Sequence, residues 1–177
     1  MAKTKWAVDT THSSIDFSIR HMMIAKVKGS FNRFDASIEA DPEDLTTADI
    51  AFSVDVASVD TRNDDRDAHL RSADFFDAEN HPTMTFKATK IVKTGDGEYD
   101  VTGDLTIRGV TRSETFKVTF EGAGNDPWGN YKAGFSAEGA IKRSDYGLTW
   151  NAALETGGVL VGDDVKIHLE IEAVEQA

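Results

Sequence analysis

Cysteine is absent from the 177 residues, which excludes a disulfide framework and any thiolate metal site. Long apolar runs are missing as well. Nowhere do about 18 apolar residues occur together, the length a membrane-spanning helix requires. The opening Met1-Ala2-Lys3-Thr4-Lys5-Trp6 runs straight into polar, alternating sequence with no signal-peptide core behind it. These absences lead to an expected cytoplasmic location and to no stable membrane insertion. Positive charge is in deficit, with 19 Lys and Arg against 31 Asp and Glu and a net charge of −12. Such a balance repels nucleic-acid phosphates and anionic membrane surfaces. The densest basic cluster, Lys26-Val27-Lys28 near Arg20 and His21, is too small to reverse it. No nucleic-acid partner is expected, and the acid excess reads as a solubility device.

Catalytic signatures are lacking too. The five histidines (His12, His21, His69, His81 and His168) are scattered, and no two share a helical metal-ligand spacing. Gly134-Phe135-Ser136-Ala137-Glu138 approaches a nucleophile elbow but has Glu where the motif has glycine, and it lies within an alternating strand. Asn63, Asp65 and Asp67 have the opening spacing of a calcium loop, yet Ala68 occupies the position of the turn glycine. No catalytic residue, metal site or cofactor is expected.

What is present is a period of two. Ile15, Phe17 and Ile19 alternate with Asp16, Ser18 and Arg20, and the same pattern returns at Phe34–Ile38, Ile50–Val56 and Met84–Ala88. It continues through Val101–Ile107, Phe116–Phe120, Ala133–Ile141 and Val165–Ile171. Each set places one apolar face opposite a polar one, as half-buried antiparallel strands require. Turn signals at 41–44, 95–97 and 125–130 separate them. About eight such strands must close or stack to hide their apolar faces. The stretch from Thr61 to Ala73 lacks alternation and carries capping types at Thr61 or Asn63, with Asp64 and Asp65 where a helix dipole favours acid. It predicts a short helix near residues 63–73. A second irregular region, 143–164, reads as loop or mouth structure. No linker or repeat divides the chain, so residues 1–177 read as one domain.

Several phrases are distinctive in combination: Asp9-Thr-Thr-His12-Ser13, Val27-Lys-Gly29-Ser-Phe31, Ser58-Val59-Asp60-Thr61 and Arg66-Asp67-Ala-His69-Leu70. They are followed by Asp74-Phe75-Phe76-Asp77, His81-Pro82, Gly103-Asp-Leu105-Thr-Ile107-Arg108-Gly109, Lys142-Arg143-Ser-Asp145-Tyr-Gly147 and Val161-Gly162-Asp163-Asp164-Val165. Taken in order, this set resembles the YceI-like family of bacterial polyisoprenoid-binding proteins from about Trp6 to Glu172. The resemblance implies an all-β, eight-stranded antiparallel lipocalin-like barrel that holds an isoprenoid lipid or quinone in its interior. It also implies homodimers as an expected state. Many relatives are exported to the periplasm, whereas the polar opening residues make a cytoplasmic member of the family the expectation here.

On that reading the apolar cavity is lined by Phe17, Ile19, Phe34, Phe52, Val54, Met84, Phe86, Leu105, Phe135 and Ile141. The residues alone leave a filled barrel and a hollow one both open. Small inward residues (Ala36, Ala88, Gly103, Ala133, Ala137 and Gly139) leave room for a chain, but they also suit a tapering barrel. Arg20, His21, Arg66 and Arg143 are the head-group candidates, because cations suit a diphosphate or a quinone carbonyl. Surface ion pairing is the alternative for each. Met22, Met23 and Ile24 form either an adaptable apolar lip or ordinary core. The function expected is lipid binding, as a carrier or buffer. An enzyme acting on a hydrophobic substrate in the same barrel is the alternative, with an inward Asp–His pair as its sign.

Overall fold

The alternating segments become strands in the computed structural model, which describes residues 3–22, 24–151 and 160–176. The first two strands, β1 (Thr4–Val8), which lies outside the alternating segments, and β2 (Ser14–His21), lie end to end. Both pair antiparallel with the last strand, β11 (Val161–Glu175), β1 through Ala173–Glu175 and β2 through Val161–Glu170. Between them Asp9 turns the chain by accepting hydrogen bonds from the Thr11 amide (3.0 Å) and hydroxyl (2.6 Å). The next two, β3 (Ala25–Phe31) and β4 (Phe34–Asp41), form a second broken stave. There β3 pairs β2 and β4 pairs β1. The wall continues through β5 (Asp44–Asp55), β7 (Thr83–Gly95), β8 (Glu98–Ile107), β9 (Val110–Asn125) and β10 (Tyr131–Lys142). The pairing of β10 with β11, and of β11 with β1, closes an eight-stranded antiparallel barrel. The two-residue β6 (Val59–Asp60) pairs the end of β3.

Closure needs local departures from strict alternation. Register shifts fall between Ala88 and Lys90 on β7, and on β9 at Glu121, which is the extra residue opposite Gly134 and Phe135 of β10. Such bulges bend a strand and increase its twist. The first also reverses the parity of β7, so the inward set runs Met84, Phe86, Ala88 and then Ile91. The β8–β9 hairpin turns at Arg108 (φ 51°) and Gly109 (φ 75°), the paired positive angles of a two-residue hairpin turn. Arg108 is held there by a 2.9 Å hydrogen bond from its guanidinium to the Phe75 carbonyl.

The expected helix is present as α1 (Asp64–Arg71). Of the two candidate caps, Asn63 takes the role, its side chain accepting from the Arg66 amide at 3.0 Å. Thr61 serves otherwise: its amide and hydroxyl donate to the buried Asp67 carboxylate at 2.9 and 2.5 Å. The Arg66 guanidinium then donates to the Thr61 hydroxyl and carbonyl at 2.8 and 2.7 Å. These bonds lock α1 against the end of β6 and so over one end of the barrel. The irregular region 143–164 contains a 3₁₀ turn at Arg143–Tyr146 and the start of β11, which begins at Val161, earlier than the alternation from Val165 indicated. Residues 152–159 of that region lie outside the described residues.

Candidate functional site: an apolar lumen with a polar mouth

The inward faces enclose a cavity of about 640 Å³, within the range of roughly 300–1,000 Å³ in which proteins hold small ligands. Its lining follows β11 from Val161 to Ile171. At about 3.3 Å per residue and a strand tilt near 40°, that is roughly 25 Å along the barrel axis. The lumen is therefore elongated along the barrel axis, a shape that suits an extended chain. A second buried cluster of Trp6, Ala40, Ala133 and Ala173, packed with Leu45, Ala48 and Tyr131, occupies the end away from α1.

Nine of the ten residues expected along the cavity line it: Phe17 and Ile19 from β2, Phe52 and Val54 from β5, Met84 and Phe86 from β7, Leu105 from β8, and Phe135 and Ile141 from β10. Phe34 does not. It is buried where β3 gives way to β4, in a cluster with Phe31, Val54, Val56 and Val59, so its surface is spent on neighbours rather than on the lumen. The small residues also act differently from expectation. A Cβ on Gly103 would lie 2.5 Å from the Phe86 ring and 2.4 Å from the Lys87 carbonyl oxygen, and one on Gly139 would lie within 2.7 Å of the Phe116 ring. Gly29 stands in the same relation to Phe17. Glycine in this barrel therefore makes room for phenyl rings laid flat on the wall. The lumen stays open because those rings do not cross it.

The mouth lies at the α1 end. The His69 ring meets Trp150 edge-on with centroids 4.7 Å apart and Phe75 at 5.0 Å, while Phe75 and Trp150 are 5.5 Å apart. This aromatic cap lies among the mouth-lining residues together with Leu70, Asn63 and Asp65. All four head-group candidates line the same end, but in different states. Arg143 is 6% exposed, and its guanidinium donates to the carbonyls of Gly162 (2.7 Å), Leu148 (2.7 Å), Trp150 (2.9 Å) and Val161 (3.2 Å). Burial lowers its pKa from the usual guanidinium value, with Asp163 acting in the opposite sense. It also sits 5.9 Å from the Phe75 ring centroid. Arg143 is thus a clasp between the 3₁₀ turn and the start of β11, with its donors already engaged by main chain. Arg66 is tied to Thr61 as described. Arg20 and His21 have no side-chain hydrogen bond or ion pair among the described residues.

A profile of the YceI-like domain matches residues 6–173. The chain belongs to the YceI-like family. A UPF0312 protein of Staphylococcus epidermidis is 44% identical over 170 residues, covering 96% of each chain. BcnA of Burkholderia cenocepacia, solved by crystallography, is similar with a TM-score of 0.82 and 28% identity, over 93% of this chain and 98% of its own. A polyisoprenoid-binding domain from Saccharophagus degradans is similar with a TM-score of 0.69 over 98% of this chain and 99% of that one. At 15% identity that last likeness speaks for the fold alone.

Parts of this YceI-like site escaped the strand periodicity. Phe75, Leu148, Trp150 and Tyr146 lie outside regular strands, where alternation carries no information. Tyr146 is fully buried, and its hydroxyl donates to Glu114 at 2.8 Å. Burial first, and then that bond, push its pKa well above the ordinary phenol value. Arg143 was marked by its motif, but as a head-group cation; its burial and its four main-chain acceptors left no trace in the sequence. No helix of the described residues is long and apolar enough to cross a membrane. Elsewhere on the barrel, Asp9, His12 and Glu172 come together at the break between β1 and β2. Lys132 already fills that cluster with a cation, 3.0 Å from Glu172.

Proposed function

We propose that this YceI-like protein binds one long apolar lipid chain of the isoprenoid class in its lumen, and carries or buffers it without transforming it. The observation that carries this reading is the shape and polarity of the cavity: an elongated lumen lined chiefly by apolar side chains, whose cationic residues Arg20, His21, Arg66 and Arg143 gather at the α1 end. Each buried methylene-sized unit contributes about 0.8 kcal/mol, so several isoprene units supply the affinity and the tube sets the length. The head group, a phosphate or a quinone carbonyl, sits at the mouth near Arg20, His21 and Arg66. Arg143 holds the mouth's shape. The family resemblance read from the sequence implies the isoprenoid class, and a polyisoprenoid-binding domain has the same fold.

Native mass spectrometry of protein purified without detergent, followed by organic extraction, tests this. The expected result is a bound mass matching a polyprenyl or isoprenoid-quinone species. Protein that is empty and also takes up no added geranylgeraniol or short-chain ubiquinone, or that carries only fatty acids, refutes it.

A second reading has one observation in its favour. His69 Nε2 lies 2.9 Å from Asp74 Oδ2 at the rim, an acid–base pair of the kind an enzyme uses on a head group. Its geometry favours a structural role. The ring is wedged between Phe75 and Trp150, and no hydroxyl among the described residues hydrogen-bonds to it. Chemical conversion of the bound lipid that disappears in His69→Gln would establish the enzyme reading.

A further inference from the structure

The turn joining β2 to β3 is built from the wrong residues for a turn in water. Polar residues and glycine ordinarily fill such positions, whereas the sequence here reads Met22-Met23-Ile24. Met22 is 44% exposed and Ile24 82% exposed, so they are not core; Met23 lies outside the described residues. Among the described residues only four large apolar side chains are exposed, and two of them sit in this one turn. Met22 also holds φ 55°, a left-handed conformation that glycine or asparagine adopts with less strain.

The charges beside the turn are equally unusual. From Phe17 to Phe34 the chain has no acidic residue, although its net charge is −12. Arg20 and Lys26 are direct cross-strand partners, and Ser18 faces Lys28 in the same register. Like charges directly opposite each other on an antiparallel pair repel. No ion pair among the described residues relieves Arg20, Lys26 or Lys28. The nearby acids of β11 are engaged elsewhere, Asp163 with Ser144 and Asp164 with Lys142. Immediately below the turn, Arg20 and His21 line the mouth of the lumen.

We propose that this turn is a docking tip for the surface of an anionic lipid bilayer. Met22 and Ile24 enter the head-group layer, and Arg20, Lys26 and Lys28 meet the lipid phosphates. A basic, apolar tip suits that surface, because apolar side chains enter the interface while cations are drawn to the anionic layer. Charge alone does not carry the contact, since this cluster is too small to reverse the net charge; the exposed Met22 and Ile24 supply the apolar part. The contact stays peripheral and transient because the rest of this acidic protein is repelled by the same surface. It places the mouth against the membrane from which an apolar lipid has to be taken up. The inference extends the lipid-binding reading, and its test does not depend on that reading.

The test is co-sedimentation of the purified full chain with 100 nm vesicles of phosphatidylcholine containing about 30% phosphatidylglycerol, beside vesicles of phosphatidylcholine alone. The wild type is expected to bind the anionic vesicles at least tenfold more tightly, and to lose that preference at high salt. Ile24→Asp and the pair Arg20→Gln/Lys26→Gln are each expected to weaken binding about tenfold, with unchanged melting temperatures. Trp128→Ser, which alters the other strongly exposed apolar residue at the opposite end of the barrel, leaves binding intact. Ala137→Trp, which fills the lumen, abolishes uptake of geranylgeraniol but still docks; this separates failure of the tip from failure of the cavity. Equal vesicle binding by wild type and Ile24→Asp overturns the proposal. So does a dimer in sedimentation velocity that Ile24→Asp dissociates while vesicle binding is unchanged, since the tip would then cover a second copy of the chain.

Discussion

Replacing Arg143 by methionine, which preserves most of the volume and apolar stem but none of the donors, separates a clasp from a ligand-binding cation. In the structure four guanidinium hydrogen bonds, at 2.7–3.2 Å, join Leu148, Trp150, Val161 and Gly162. A hydrogen bond to a charged group contributes about 1.5–3 kcal/mol, but the freed carbonyls near the mouth regain water in part. Breaking a buried charged network of this kind costs on the order of 3–5 kcal/mol. For a chain of this size each kcal/mol lowers Tm by about 2–4 °C. Arg143→Met should therefore melt roughly 6–20 °C below the wild type by differential scanning calorimetry. Arg143→Lys should recover little of the loss, because one ammonium cannot span carbonyls that a planar five-donor fork reaches. Were Arg143 a head-group ligand instead, Arg143→Met would weaken lipid binding at nearly unchanged stability. A Tm within about 2 °C of the wild type, with binding lost, refutes the clasp.

Two other predictions concern the wall and the seam. Gly103→Ala inserts a Cβ against the Lys87 carbonyl and the Phe86 ring; it should cost about 1–3 kcal/mol through overpacking and drive the ring into the lumen, weakening isoprenoid binding in a titration. Unchanged stability and binding would show that the ring has other room. At the seam, His12 lies 2.8 Å from Asp9, which raises its pKa above the ordinary value, first through the hydrogen bond and then through the charges of Asp9 and Glu172. The sign follows: the His12 contribution to stability is complete below about pH 6.5 and is lost as pH rises through the elevated folded pKa. Hydrogen bonds from Thr11 and His12 lower the pKa of Asp9, so its contribution is complete above about pH 3.9 and is lost as pH falls through the depressed value. In proton NMR the His12 midpoint should fall in Asp9→Asn; identical midpoints would contradict the pair.

The β architecture was legible because strand alternation is a local property: each side chain's face follows from its neighbours two positions away. The same logic placed Phe17, Phe86 and Ile141 on the lumen and placed α1 by its cap and acids. It went wrong at Phe34, whose parity is inward but whose ring is absorbed by the packing at the β3–β4 break. Parity says which face a residue occupies and nothing of what meets it there.

By itself the sequence determined eight of the strands, the position of the short helix, the missing cysteine chemistry and the family; β1, β3 and β6 lie outside its alternating segments. These rest on local periodicity, composition and motif order. Only the tertiary structure decided that the barrel is hollow, since this depends on Phe86, Phe116 and Phe17 lying over glycines from other strands or other parts of the chain. It likewise decided that Arg143 is spent on carbonyls up to 19 residues away, and that Met22 and Ile24 stand in water beside an unpaired row of cations. Those outcomes depend on distances between segments remote in sequence, and the chain takes on such distances only when it closes.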